Sequence, residues 1–129
     1  MPPSRTLQAL PGLSAVCRLP PDAPWPIWAK GDFVTISRTV DELSVVCAAE
    51  CVPADVRCER GWRCLRVAGV IDFSVVGVLS SLTAPLAEAG VSVFAVSTFD
   101  TDYLLVKEVD FGRACAALRV HGHLLIPSQ

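Results

Sequence analysis

Between Gly69 and Gly90 the spacing of apolar residues changes, and no other feature of the chain constrains its fold as strongly. Val75, Val78, Leu79, Leu82 and Leu86 fall at i, i+3, i+4, i+7 and i+11, the spacing of one helical face. A helix is therefore predicted over 74–89, with Asp72 or Ser74 placed to cap its start and Gly90 to end it. Pro85 has no N–H, so the carbonyl of Ser81 loses its helical partner and packing must hold the last turn. On either side the residues are strand formers: Trp62–Ala68 before, then Val91–Thr98 and Tyr103–Val109. Phe99–Asp102 has turn chemistry and predicts an antiparallel hairpin. Asp110 can cap a second helix through Arg119, with Phe111, Ala114, Cys115 and Leu118 on one side. Gly122 then ends it, and His123–Ile126 closes the order as β-α-β-β-α-β.

The first half reads as a degenerate copy of the second. Leu13–Leu19 is a strand candidate, and Phe33–Arg38 with Leu43–Cys47 forms a hairpin around Thr39–Glu42. An offset of sixty lays Ile36, Ser37, Glu42, Val45 and Val46 on Val96, Ser97, Asp102, Leu105 and Val106. Prolines 20, 21, 24 and 26 forbid a long helix in the crossover, leaving only a turn around Trp25–Lys30. Pro53–Gly61 is polar and reads as a linker, giving two modules, 1–60 and 61–129. The class implied is α+β, with helices packed on a mainly antiparallel sheet.

Composition narrows the possible functions. The chain is 52% hydrophobic and 19% charged, which excludes a disordered segment. A net charge of −2 offers nothing to a polyanion, and Arg63 and Arg66 fall on opposite faces of a strand, so no nucleic-acid partner is expected. The charge-free run Phe73–Ala87 is too short to span a bilayer, and the start of the chain lacks an apolar leader. The expectation is a cytoplasmic protein with no membrane partner. Its cysteines, at 17, 47, 51, 58, 64 and 115, lack paired zinc-knuckle spacing, so they read as reduced thiols with no metal or cofactor. Cys17, Cys47 and Cys64 sit in apolar runs as small hydrophobes, whereas Cys51 and Cys58 fall in a loop. His121 and His123 read as solvated residues at a helix end, and no catalytic residues are expected. Trp25, Trp28 and Trp62 belong to apolar runs and read as core rather than surface anchors.

The candidate site lies after the strand that ends at Gly69. A helix start at Ser74–Gly77 presents backbone N–H groups and the positive end of a dipole, a receptor for a carboxylate. Gly77 lets a ligand approach the backbone, while Asp100 and Asp102 at the hairpin tip attract a cation. Together these groups complement the two charges of an α-amino acid. Taken singly, the same residues read first as a cap, a packing glycine and a solvated turn.

Four segments carry a family resemblance: Trp62–Val67, Asp72–Leu79, Ala84–Phe94 and Ser97–Val106. With Pro-Leu-Ala-Glu-Ala-Gly at 85–90 and Ser-Thr-Phe-Asp-Thr-Asp-Tyr at 97–103, the chain resembles small bacterial ACT-domain proteins. These are related to aspartate-kinase regulatory domains, and the chain is also similar to the ACT modules of cytosolic arginine sensors. Leu43–Cys47 and Ala15–Pro20 fit the family's first, shortened module. The resemblance implies two ferredoxin-like βαββ modules, the first degenerate, that bind a ligand without catalysing a reaction. Carried over by position, the ligand-binding residues are Asp72, Phe73, Ser74, Val75, Gly77, Val78, Thr98, Phe99 and Asp102. Ser74 and Val75 stand where the arginine sensors have an acidic residue, which admits a smaller or neutral amino acid as ligand. The expected function is amino-acid binding or sensing by a regulatory homodimer. A protein-interaction module with no small-molecule ligand is the alternative.

Overall fold

The computed structural model of the chain describes residues 4–127. Its elements, in chain order, are β1 (Thr6–Ala9), β2 (Ser14–Leu19), β3 (Thr35–Arg38), β4 (Leu43–Ala48) and β5 (Arg57–Val67). There follow α1 (Val78–Glu88), β6 (Phe94–Ser97), β7 (Asp102–Lys107), α2 (Phe111–Val120) and β8 (Leu124–Ile126). The described residues divide into two compact units: 12–62 forms one, and 4–11 with 63–127 form the other. The class is α+β, with mainly antiparallel strands, as the sequence implied.

In the 12–62 unit the strands run in the order β3-β4-β2-β5, every pair antiparallel. Ala15, Cys17, Leu43, Val45 and Cys47 face one another and form its core with Val52. The proline-rich crossover folds as turns, closed by Ala23 N–H to Pro20 O and Ala29 N–H to Pro26 O at 3.0 Å each. The Arg38 guanidinium holds it down by donating to the carbonyls of Pro21 and Ala23. Trp25 is exposed and Trp28 half-buried, so of the tryptophans expected in the core only Trp62 is fully covered.

The expected linker is largely strand, because β5 begins at Arg57 and pairs with β2. Cys58 therefore lies in a strand opposite Cys17, not in a loop. Ladder bonds use only backbone groups, so the charged side chains at 57, 59 and 60 do not prevent pairing. A bulge interrupts the register between Ser14 and Val16, and Gly61, at φ +83°, supplies the left-handed residue such a bulge takes.

In the other unit the order is β6-β7-β5-β1-β8. Strand β1, for which the sequence offered no signal, is antiparallel to β5 (Leu7 opposite Val67) and parallel to β8 (Leu7 opposite Leu125). Residues 4–11 thus belong with this unit rather than with 12–62. Val78, Leu82 and Leu86 of α1 and Ala114 and Leu118 of α2 pack on Leu65, Val67, Leu104 and Val106 of the sheet. Each such buried aliphatic side chain contributes on the order of 1.5–3 kcal/mol, which offsets the helical hydrogen bond that Pro85 removes.

The internal repeat is present, with its offset corrected by one residue. Strands β3 and β6, β4 and β7, and the 3-10 turns Ala49–Cys51 and Glu108–Asp110 all correspond at a shift of fifty-nine. Val45–Cys47 thereby falls on Leu104–Val106, and all six of these residues are buried.

Candidate functional site

Helix α1 starts at Val78, four residues later than the apolar spacing predicts. Neither Asp72 nor Ser74 caps it; the capping residue is Gly77, left-handed at φ +86° and with no side chain to satisfy the first amides. Asp72 instead closes a turn of its own. Its Oδ1 accepts from Ser74 N–H at 2.9 Å and from Ser74 Oγ–H at 2.7 Å, while Val75 N–H donates to Asp72 O. These bonds hold the Asp72 carboxyl below the usual carboxylate range.

Beyond that turn the chain enters the helix through Gly77, whose carbonyl accepts the first helical bond from Ser81 N–H at 3.0 Å. The amides of Val78, Leu79 and Ser80 have no helical acceptor, and the dipole makes this end positive. The hairpin turn lies against the same loop. Ile71 N–H donates to Asp100 O at 2.7 Å, and Thr101 Oγ–H donates to Val67 O at 2.7 Å. Thr101 is only 4% exposed, so these bonds anchor the turn from beneath. Thr98 closes the turn, its N–H donating to Thr101 O at 2.8 Å. Asp102 is half-buried, and its Oδ1 accepts from Ser97 Oγ–H at 2.5 Å.

Between loop and hairpin lies a cleft of about 280 Å³. From the loop and helix start, Asp72, Phe73, Val75, Gly77 and Val78 line it; from the hairpin, Thr98, Phe99 and Asp102. Of the nine positions carried over from the family, only Ser74 is outside it, its hydroxyl turned back to Asp72. Asp100 is also outside, contributing its carbonyl rather than its carboxylate. Ile71, Leu79, Ser97 and Thr101 also line the cleft, and the sequence did not point to them. Ser97 was within reach, since a hairpin closed at 98–101 sets it opposite Asp102. Leu79 belongs by its spacing to the helix face that packs on the sheet, and it touches that core as well as the cleft.

Elsewhere, His123 and the buried cysteines are committed to the fold. His123, expected in solvent, is 6% exposed: Nδ1 accepts from Arg5 N–H at 3.1 Å and Nε2 lies 3.2 Å from Ser81 O. His121 sits at the end of α2, with Nε2 3.7 Å from Glu88 Oε2. Cys17, Cys47, Cys64 and Cys115 are buried, and burial raises each thiol, with Cys17 and Cys64 pushed up to about 12. Among the described residues no cluster of His, Cys, Asp or Glu is arranged to hold a metal ion. No helix among them is long and apolar enough to cross a membrane.

A family model described as the ACT domain matches residues 57–120, and a second, for an N-terminal domain, matches 12–55. The chain is 39% identical to an Agobacterium tumefaciens protein of known crystal structure, covering 99% of this chain and 96% of that one at a TM-score of 0.94. It is 34% identical over 59 residues to the human cytosolic arginine sensor for mTORC1 subunit 1. That match spans 45% of this chain but only 18% of the length of the sensor. The ligand-free regulatory subunit of Thermus thermophilus aspartate kinase shares the fold at 13% identity, covering 88% and 94% of the two chains at a TM-score of 0.59.

Proposed function

This chain belongs to the ACT-domain family, and from that premise we propose that it is a non-catalytic regulatory protein that binds an amino acid in the cleft between 71–79 and 97–102. One observation carries the reading: the same cleft is lined by Val78 and Leu79, at the helix start where amides lack helical acceptors, and by Asp102. The amides suit an α-carboxylate, and Asp102 Oδ2 suits an α-ammonium. The clamps from Thr101 and Ile71 support it, since a receptor gains affinity when its walls are held before the ligand arrives. The relative named as an arginine sensor supports an amino acid as the ligand class.

A non-catalytic role is supported by where the reactive groups are used. The His123 ring is engaged with backbone, and the buried thiols are held neutral. A cytoplasmic homodimer belongs to the same proposal. Exposed Val120, Leu124 and Ile126, on or beside the edge strand β8, support a second copy docking there. Titration calorimetry of the chain against the twenty amino acids tests the binding function. Saturable heat with one of them, abolished in Asp102→Ala, is expected; no heat with any of the twenty would overturn it.

A further inference from the structure

The rim of the cleft is apolar on both sides. Phe73 from the loop and Phe99 from the hairpin meet edge to face, centroids 4.9 Å apart and planes at 89°. Each is nevertheless mostly in water, Phe73 at 74% and Phe99 at 79% exposure. Val75 beside them is also exposed. Phenyl rings left this open, in contact across a cleft, form a surface that an apolar group would cover.

The charges inside the cleft limit what else the ligand can carry. Its ionisable lining residues are Asp72 and Asp102. Asp72 is exposed and its Oδ1 is taken twice by Ser74, so its charge is hydrated and screened. Asp102 is half-buried and keeps Oδ2 for one cation. One inner carboxylate and one helix start satisfy an ammonium and a carboxylate. A second acidic group on the ligand would meet two carboxylates, and a second basic group would find only the hydrated Asp72.

Resting on the function proposed above, we infer that the site selects an α-amino acid with a neutral, apolar side chain, and that Phe73 and Phe99 determine this specificity. The backbone end of the ligand lies between Asp102 and the start of α1, and its side chain lies against the two rings.

Calorimetry with leucine, methionine and phenylalanine, then arginine and lysine, then aspartate and glutamate, separates the classes. The apolar set is expected to bind at least tenfold more tightly than the charged sets. Phe99→Ala and Phe73→Ala should each weaken the apolar set about ten- to a hundredfold, the range for losing one apolar contact surface. Phe99→Leu should recover most of that loss. Both rings are exposed, so circular dichroism should show each variant folded as the parent. Arginine binding most tightly, with Asp102→Ala abolishing it, would overturn this inference while leaving the amino-acid reading intact. Unchanged leucine affinity in both alanine variants would overturn it as well. No binding by any of these ligands to the folded parent would overturn the functional reading itself.

Discussion

His123 donates its Nε2 proton to the carbonyl oxygen of Ser81, 3.2 Å away, and so satisfies the acceptor that Pro85 leaves without a helical partner. The tautomer follows from the other nitrogen, since Nδ1 accepts from Arg5 N–H and must be unprotonated. A residue just ahead of β8 thus repairs α1, whose first turn lines the cleft.

Removing the imidazole should expose that dependence. His123→Ala leaves Ser81 O and Arg5 N–H without their partner in a half-buried place, a cost of about 1–3 kcal/mol. Pro85→Ala restores an N–H to the helix, so His123→Ala should cost about 1 kcal/mol less in that background. Urea denaturation of the four proteins in the cycle measures both values. Additive costs would refute the repair.

The start of α1 depends on a left-handed backbone at Gly77. A Cβ there would meet nothing closer than Ser80 Oγ at 3.7 Å, so the obstacle is conformational rather than steric crowding. Gly77→Ala should destabilise by about 1–2 kcal/mol and weaken ligand binding as the loop shifts. Gly112→Ala, at a helical position with open space around it, should stabilise by about 0.5–1 kcal/mol. Thermal melts of the two variants should move in opposite directions.

Burial of Cys64 predicts alkaline sensitivity. Its folded value, about 12, lies above the ordinary 9.0, so the fold favours the neutral thiol. The stability it contributes is complete below pH 9 and is lost as pH rises from there toward 12, at about 1.4 kcal/mol per pH unit. Cys64→Ala should flatten the fall in unfolding free energy between pH 9 and 11. A slope identical to the parent's would contradict this.

Asp72 gives the opposite sign. Its carboxyl is held low by Ser74, so its contribution is present above the ordinary value of 3.8 and fades as pH falls below it. In Ser74→Ala the side-chain bond is gone, and the Asp72 titration followed by carbon NMR should move upward toward the ordinary value.

The order β-α-β-β-α-β, the two hairpins and the glycine ends at Gly90 and Gly122 were legible because each depends on local chemistry. The position of the cleft was legible for a similar reason: a strand, a loop, a helix start and the next hairpin are close in sequence. The repeat offset was misread by one residue because Val45–Cys47 and Leu104–Val106 are buried without alternation. A continuous apolar run carries no period to fix its register.

Residue spacing by itself determined the order of elements from 62 onward and the two hairpins, and the family resemblance pointed to the two stretches that line the cleft. Tertiary structure decided what spacing cannot encode. The first helical turn at Gly77 follows from a left-handed backbone and the clamps on Ile71 and Thr101, not from apolar periodicity. Strand β1 exists because β5 and β8 flank it, and a four-residue strand cannot bury a face alone. His123 is buried because Ser81 and Arg5 offer it partners far away in sequence, and hydrogen-bond partners at that distance are set by packing, which no local pattern records.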